Sequence, residues 1–208
     1  IEKDAVPSVI LYGPPGTGKT TLAKVIAEVT GSVFEAINAV SSGVPELRKL
    51  ISQAIERQKS GLGKTIVFID EIHRFNKGQQ DVLLPYVENG TVVLIGATTE
   101  KPFFEINSPL LSRMKVIRLE QLTKENILEI ITRALNDNEM GYGKENITIT
   151  GKGLEAIAEI ASGDARTALN IVEQARTMLP EGEKEINENV LRLVLGDVLL
   201  RYDKNGDY

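Results

Sequence analysis

The sequence predicts an α/β protein: a parallel sheet sandwiched by helices, followed by a small all-helical domain. Three observations predict it. From Ser8 to Leu119, short runs of Val, Ile and Leu alternate with stretches of helical periodicity, the pattern of βα units. The run Thr65-Ile66-Val67-Phe68-Ile69 is apolar without interruption, as a strand covered on both faces must be. Near Gln121 the texture changes, and helical patterns dominate from there on.

The first strand is read at Ser8-Val9-Ile10-Leu11-Tyr12. An amphipathic helix follows over Thr21 to Glu28, closed by Gly31, since glycine tolerates the left-handed conformation that ends a helix. Val33 to Asn38 reads as the second strand. Val44 to Ser60 reads as a helix with Leu47, Leu50, Ile51, Ala54 and Ile55 on one face, ended by Gly61 and Gly63; three- and four-residue spacing gathers them into one stripe. After the third strand, a helix is expected over Gly78 to Glu88, limited or kinked by Pro85, which lacks the N–H of a regular turn. Asn89-Gly90 breaks the chain before a fourth strand, Thr91 to Ile95, and Val116 to Leu119 is a short last strand. Helices are then expected over Thr123 to Asn136, Leu154 to Ala161, Ala165 to Met178 and Ile186 to Leu195, with Ile147-Thr148-Ile149 the remaining strand-like run.

The totals bound the class. The 208 residues suffice for an α/β domain and a smaller second one. The chain has no cysteine, which excludes disulfides and cysteine-ligated zinc and is compatible with the cytosol; a cytoplasmic protein is expected. Neither a membrane-spanning apolar run nor a signal-peptide pattern is found. The net charge of -5 argues against indiscriminate nucleic-acid binding. The charge is uneven: residues 1–119 carry 14 basic and 12 acidic side chains, the remainder 10 and 17. Contact with a polyanion is therefore expected in the first part.

The chemistry is concentrated in two strings. Gly13-Pro14-Pro15-Gly16-Thr17-Gly18-Lys19-Thr20 lies between the first strand and the first helix. Gly, four residues, then Gly-Lys-Thr is the pattern of a loop whose backbone amides wrap a nucleotide polyphosphate; Lys reaches the β- and γ-phosphates and the Thr hydroxyl reaches Mg²⁺. Strand, glycine loop, helix is the context that confirms it. The second string, Ile66-Val67-Phe68-Ile69-Asp70-Glu71, delivers two carboxylates to the end of a buried strand, where ligands bind in open α/β sheets. Asp70 is expected to hold Mg²⁺ through its water shell, and Glu71 to polarise an attacking water as general base. A Glu beside the metal Asp favours water over an alcohol as the acceptor, hence a hydrolase. ATP and Mg²⁺ are the expected cofactors.

The two strings together, Gly-Pro-Pro-Gly-Thr-Gly-Lys-Thr and Asp-Glu-Ile-His, resemble an AAA+ ATPase over nearly the whole chain, core and helical lid alike. Three longer stretches, Phe68 to Lys77, Gly96-Ala97-Thr98-Thr99-Glu100 and Asn107-Ser108-Pro109-Leu110-Leu111-Ser112-Arg113, are similar to the replication-associated recombination protein A family, in the clamp-loader clade. The resemblance implies a phosphate-loop NTPase core over residues 1–120, a helical lid over 121–200, and a linker at 201–208 towards a C-terminal oligomerisation domain. The segment Tyr202 to Asp207 is similar to that family's link. The chain is expected to be a fragment cut at both ends, without the family's adenine-holding segment. Lys101 stands where the family string carries Asn.

Further roles come from the resemblance alone. Thr99, expected at the end of the fourth strand, matches the residue that senses γ-phosphate or the attacking water. Asn38, at the end of the second strand, is placed like the residue that restrains the catalytic glutamate. Arg113 resembles an arginine finger entering a neighbour's ATP site, and Arg166, in Gly163-Asp164-Ala165-Arg166, one that reaches γ-phosphate from the lid. The implied activity is a DNA-dependent ATPase at stalled replication forks, serving replication, recombination and repair. Implied partners are single-stranded, forked or gapped DNA, further copies of the chain, and replication-fork proteins. An ATP-regulated binding scaffold and a clamp-loader subunit stay open as alternatives. Arg48, Lys49, Arg57, Lys59 and Lys64 form either a DNA-facing patch or merely the wet face of a helix. The resemblance also points to Ser41-Ser42-Gly43 and Lys77-Gly78 as phosphate contacts. His73, the only histidine, reads as a packing or hydrogen-bonding residue rather than a catalytic one.

Overall fold

A computed structural model describes residues 6–196; the linker expected at 201–208, with Tyr202 to Asp207, lies outside them. The described residues form two compact units that divide between Glu120 and Gln121.

The first unit runs β1 (Val9–Tyr12), α1 (Lys19–Thr30), β2 (Val33–Asn38), α2 (Val44–Lys59), β3 (Thr65–Asp70), a 3-10 turn (Ile72–Arg74), α3 (Lys77–Glu88), β4 (Val92–Thr98), α4 (Pro102–Glu105), α5 (Ser108–Leu111) and β5 (Lys115–Arg118). The strands form one sheet in the order β2-β3-β4-β1-β5, every pairing parallel. Side-chain alternation splits the core in two. Val9, Leu11, Ile66, Phe68, Ile95 and Ala97 pack against Ala23 and Ala27 of α1. Ile10, Val67, Ile69 and Leu94 pack on the other face with Leu47, Leu50, Ile51 and Ala54 of α2, Leu83 of α3, and Leu110 and Met114.

Several element bounds differ from the sequence reading, and three stretches differ for a physical reason. β4 runs on to Thr98 instead of ending at Ile95, because Gly96, Ala97 and Thr98 pair with Ile10, Leu11 and Tyr12 of β1; the small residues hide a strand that its neighbour imposes. A Cβ at Gly96 would lie 2.7 Å from Ile10 Cδ1 and 2.9 Å from Ile72 Cδ1, so glycine there makes room for both. α3 begins at Lys77, capped by the Asn76 side chain, and continues past Pro85 to Glu88. Two one-turn helices, α4 and α5, fill a stretch whose residues show no helical or strand period.

The second unit contains α6 (Lys124–Asn136), a 3-10 turn (Gly143–Glu145), β6 (Thr148–Ile149), α7 (Gly151–Ala161), α8 (Ala165–Thr177), β7 (Glu185–Ile186) and α9 (Glu188–Leu195). Its core gathers Ile127, Ile131, Ile157, Ile171, Val172 and Leu191. α7 starts three residues before Leu154 because Thr150 caps it by accepting from the Gly153 amide, 3.1 Å away. Ile186, expected to be helical, instead pairs with Ile149 in a two-stranded parallel ribbon.

Candidate active site

Strand register brings the expected residues to one edge of the sheet. Tyr12 lies level with Thr98 on β4, and Ile69 on β3 lies level with Gly96. The phosphate loop after Tyr12 and the acids after Ile69 therefore leave the same edge, with only β4 between their strands. Two strand spacings put β1 and β3 about 10 Å apart, a gap that a triphosphate and its metal can bridge.

The loop is built for an anion. Gly13 has φ 154°, and a Cβ there would collide with the carbonyl oxygen of Leu119. Gly16 and Gly18 take φ 66° and 88°, left-handed values that glycine adopts without steric cost. Thr17 Oγ1 donates to Pro14 O at 2.9 Å, tightening the turn. α1 starts at Lys19 with Gly18 as an N-cap that offers no side-chain acceptor, and no acid lies in its first turn. Its leading amides and dipole thus favour an anion. Lys19 Nζ folds back to donate to the carbonyls of Gly13 at 2.8 Å and Pro14 at 2.7 Å, so its charge stays on the loop that would receive phosphate.

Asp70 is the last residue of β3, and its Oδ1 accepts from the Glu71 amide at 3.2 Å. Glu71 has φ 53° and ψ 42°, a left-handed conformation uncommon outside glycine and costing about 1–2 kcal/mol. Strain of this kind gathers at functional sites. Its carbonyl accepts from the Arg74 amide, closing the 3-10 turn. Ile72, wholly buried, pins that turn to the core. Among the described residues no group of three or more His, Asp or Glu side chains stands ready to hold a metal. Mg²⁺ takes one or two protein oxygens and completes its shell with phosphate and water; Asp70 supplies a carboxylate at the end of β3 and Thr20 a hydroxyl in the first turn of α1.

His73, which the sequence presents as a packing or hydrogen-bonding residue, hydrogen-bonds Thr98 and stands against this acid. Its Nδ1 lies 2.8 Å from Thr98 Oγ1 and 3.3 Å from Glu71 Oε2. Thr98 is wholly buried; its hydroxyl accepts from the Glu100 amide at 3.0 Å and its carbonyl from the Gly13 amide at 3.2 Å. The signal available in the sequence is spacing: two residues past Glu71 is near enough to fold back on it in a tight turn.

The remaining candidates are distributed differently. The strand ends at Thr98, so Thr99 does not end it but follows it, exposed at the rim. Asn38 is the register partner of Asp70, and its Oδ1 accepts from Val40 N at 2.8 Å; the group found against Glu71 is His73. Arg113 precedes β5. Lys115 pairs with Val9 and its amide donates to Ser8 O, so Arg113 sits at the opposite edge of the sheet from its own phosphate loop. It is exposed, paired with Glu88 and donating to Pro109 O at 2.6 Å and Ser112 Oγ at 3.0 Å. Arg166 is exposed in the first turn of α8, behind the Asp164 cap.

Residues 9–122 match the ATPase family associated with various cellular activities (AAA), and residues 143–208 match the AAA C-terminal domain. The chain is 46% identical over 210 aligned positions to Replication-associated recombination protein A of Escherichia coli (strain K12), an alignment that covers all of this chain and 47% of that protein. It is 44% identical to ATPase WRNIP1 of Dictyostelium discoideum, covering 97% of this chain and 25% of that one. The chain thus spans about half the length of the first of these relatives. Among solved structures, the Thermotoga maritima RuvB Holliday junction branch migration motor superposes with a TM-score of 0.71 at 28% identity, covering 91% of this chain and 61% of that one. Among the described residues no helix is long and apolar enough to cross a membrane.

Proposed function

Because the chain belongs to the AAA family of ATPases, we propose that it hydrolyses ATP in a site completed by a second copy of itself. Hydrolysis in the whole protein responds to DNA and serves replication-associated recombination at stalled forks, alongside replication-fork proteins. One observation carries the reading: the loop and acid pair leave one edge of the sheet, while the exposed Arg113 lies at the other. About 10 Å of β1, and the residues beyond either end, separate Arg113 from its own loop. The arginine therefore serves a neighbour's nucleotide.

The chain's own groups divide the work. Lys19 and the leading amides of α1 bind and orient the β- and γ-phosphates. Thr20 and Asp70 would hold Mg²⁺, which would supply positive charge to offset that of the phosphates. Glu71 accepts a proton from the water that attacks the γ-phosphorus, and ADP leaves with the electrons of the broken P–O bond. Arg113 of the next copy meets charge on the transferring phosphoryl group, a contribution of roughly 10³–10⁵ in rate. Thr99 orients the water or γ-phosphate, and Asn38, level with Asp70 on the neighbouring strand, borders the acid pair. The higher identity to the recombination protein than to the branch migration motor favours the former's context.

The test is ATPase turnover of the full-length protein with and without single-stranded, forked or gapped DNA, for wild type and Glu71→Gln. DNA should raise turnover, and the variant should bind ATP without hydrolysing it. Turnover indifferent to DNA favours an ATP-regulated scaffold. Undiminished turnover in the variant rejects Glu71 as base.

A further inference from the structure

We infer that His73 is a positioning residue for Glu71, holding its carboxylate over β4, between the phosphate loop and Asp70. The inference rests on the reading of Glu71 as the base.

Two oxygens share one nitrogen: Thr98 Oγ1 at 2.8 Å and Glu71 Oε2 at 3.3 Å from Nδ1. An ionised carboxylate has only lone pairs to offer. A bare Nδ1 lone pair facing it would repel it, so the tautomer that fits carries the hydrogen on Nδ1. With the hydrogen on Nδ1, the ring donates to Thr98 Oγ1, and the positive end of the same N–H attracts the Glu71 oxygen 3.3 Å from that nitrogen. Thr98 fixes the ring because it is itself fixed: it is wholly buried, its hydroxyl accepts from the Glu100 amide, and its carbonyl accepts from the Gly13 amide. The imidazole is therefore tied to the strand that also holds the phosphate loop. Thr98 lies on β4 level with Tyr12 of β1. A Glu71 carboxylate drawn towards it leans to the phosphate-loop side of β3. The left-handed backbone at Glu71 (φ 53°) and the short turn from Ile72 to Arg74 make the approach possible, because they bring residue 73 back beside residue 71.

The test uses the full-length protein and compares His73→Ala, His73→Asn and His73→Gln with Glu71→Gln, by steady-state ATPase and by binding of a non-hydrolysable ATP analogue. Asn keeps an N–H donor near the Nδ1 position, whereas Gln moves it outward to the Nε2 position. His73→Ala should lower kcat about ten- to a hundredfold, the cost of a misplaced catalytic group, with KM and analogue affinity unchanged. His73→Asn should recover most of that loss and His73→Gln should not. A residue needed only for packing would not distinguish Asn from Gln in kcat at constant KM. Wild-type kcat in His73→Ala, where Glu71→Gln is inactive, overturns the inference and leaves the base assignment standing. Turnover in Glu71→Gln removes the base and, with it, this role. Should His73→Ala not fold, equal turnover in the Asn and Gln variants overturns the inference alone.

Discussion

The Gly13 amide donates to the Thr98 carbonyl across 3.2 Å, so the phosphate loop is bonded directly to the strand lying between it and the acid pair. The two glycines at the ends of this loop differ in what they tolerate. A Cβ at Gly13 meets the carbonyl oxygen of Leu119, which is backbone and cannot turn aside. A Cβ at Gly18 meets nothing within 4 Å, and only its φ of 88° resists substitution. Gly13→Ala should therefore abolish binding of a fluorescent ATP analogue and lower the melting temperature. Gly18→Ala should cost only about 1–2 kcal/mol of left-handed strain in urea unfolding.

Arg113 and Lys19 sit at opposite edges of one sheet, and their separation can be tested by mixing copies. Full-length Arg113→Ala should bind ATP normally and hydrolyse it about a thousandfold or more slowly. Lys19→Ala should fail at binding. Mixed oligomers of the two inactive variants pair an intact loop on one copy with an intact arginine on the next, so turnover should return in proportion to such interfaces. Mixtures that stay silent would mean that the arginine acts within its own chain or not at all.

What is legible in the sequence is whatever local chemistry enforces. The phosphate loop needs glycines for its φ values, and the uninterrupted run from Thr65 to Ile69 declares a strand buried on both faces. The end of β4 is not legible, because Gly96 and Ala97 carry no strand preference; their pairing with Ile10 and Leu11 decides the matter. The contact of His73 with Thr98 is hidden for a related reason. It joins residues 25 apart through a strand end that only that pairing defines. Asn38 can be set beside Asp70 by strand order, but the direction of its carboxamide depends on the turn after β2, which periodicity does not describe.

The second unit offers a prediction in pH. Asp137, the C-cap of α6, has a carboxylate that accepts from the amides of Met140 at 3.0 Å and Glu139 at 2.7 Å. These bonds, Met140's first, hold its pKa below the ordinary value. A pKa depressed by folding stabilises the folded state above the unfolded pKa of about 3.9 and loses that effect as pH falls through the folded value. Asp137→Asn should thus match wild type in acid and fall below it near neutrality. Urea midpoints of both proteins across that range check the sign, and a difference constant with pH would refute it.

Arg57 separates structural basic residues from those available to DNA. It reaches from α2 to Glu35 on β2 at 2.5 Å, with its side chain 24% exposed, and its Nη1 is buried without a hydrogen-bond partner among the described residues. Removing Glu35 would leave a partly buried guanidinium with still fewer partners. Glu35→Ala should therefore destabilise the protein by about 1–3 kcal/mol, read from urea unfolding. Arg48 and Lys49 stand exposed on the same helix, and their alanine variants should change stability by less than about 0.5 kcal/mol. If α2 faces DNA, those same variants should flatten the salt dependence of binding, because each lost phosphate contact removes about one released counterion from the slope. A slope unchanged in Arg48→Ala and Lys49→Ala would mark the basic stripe as nothing more than the wet side of a helix.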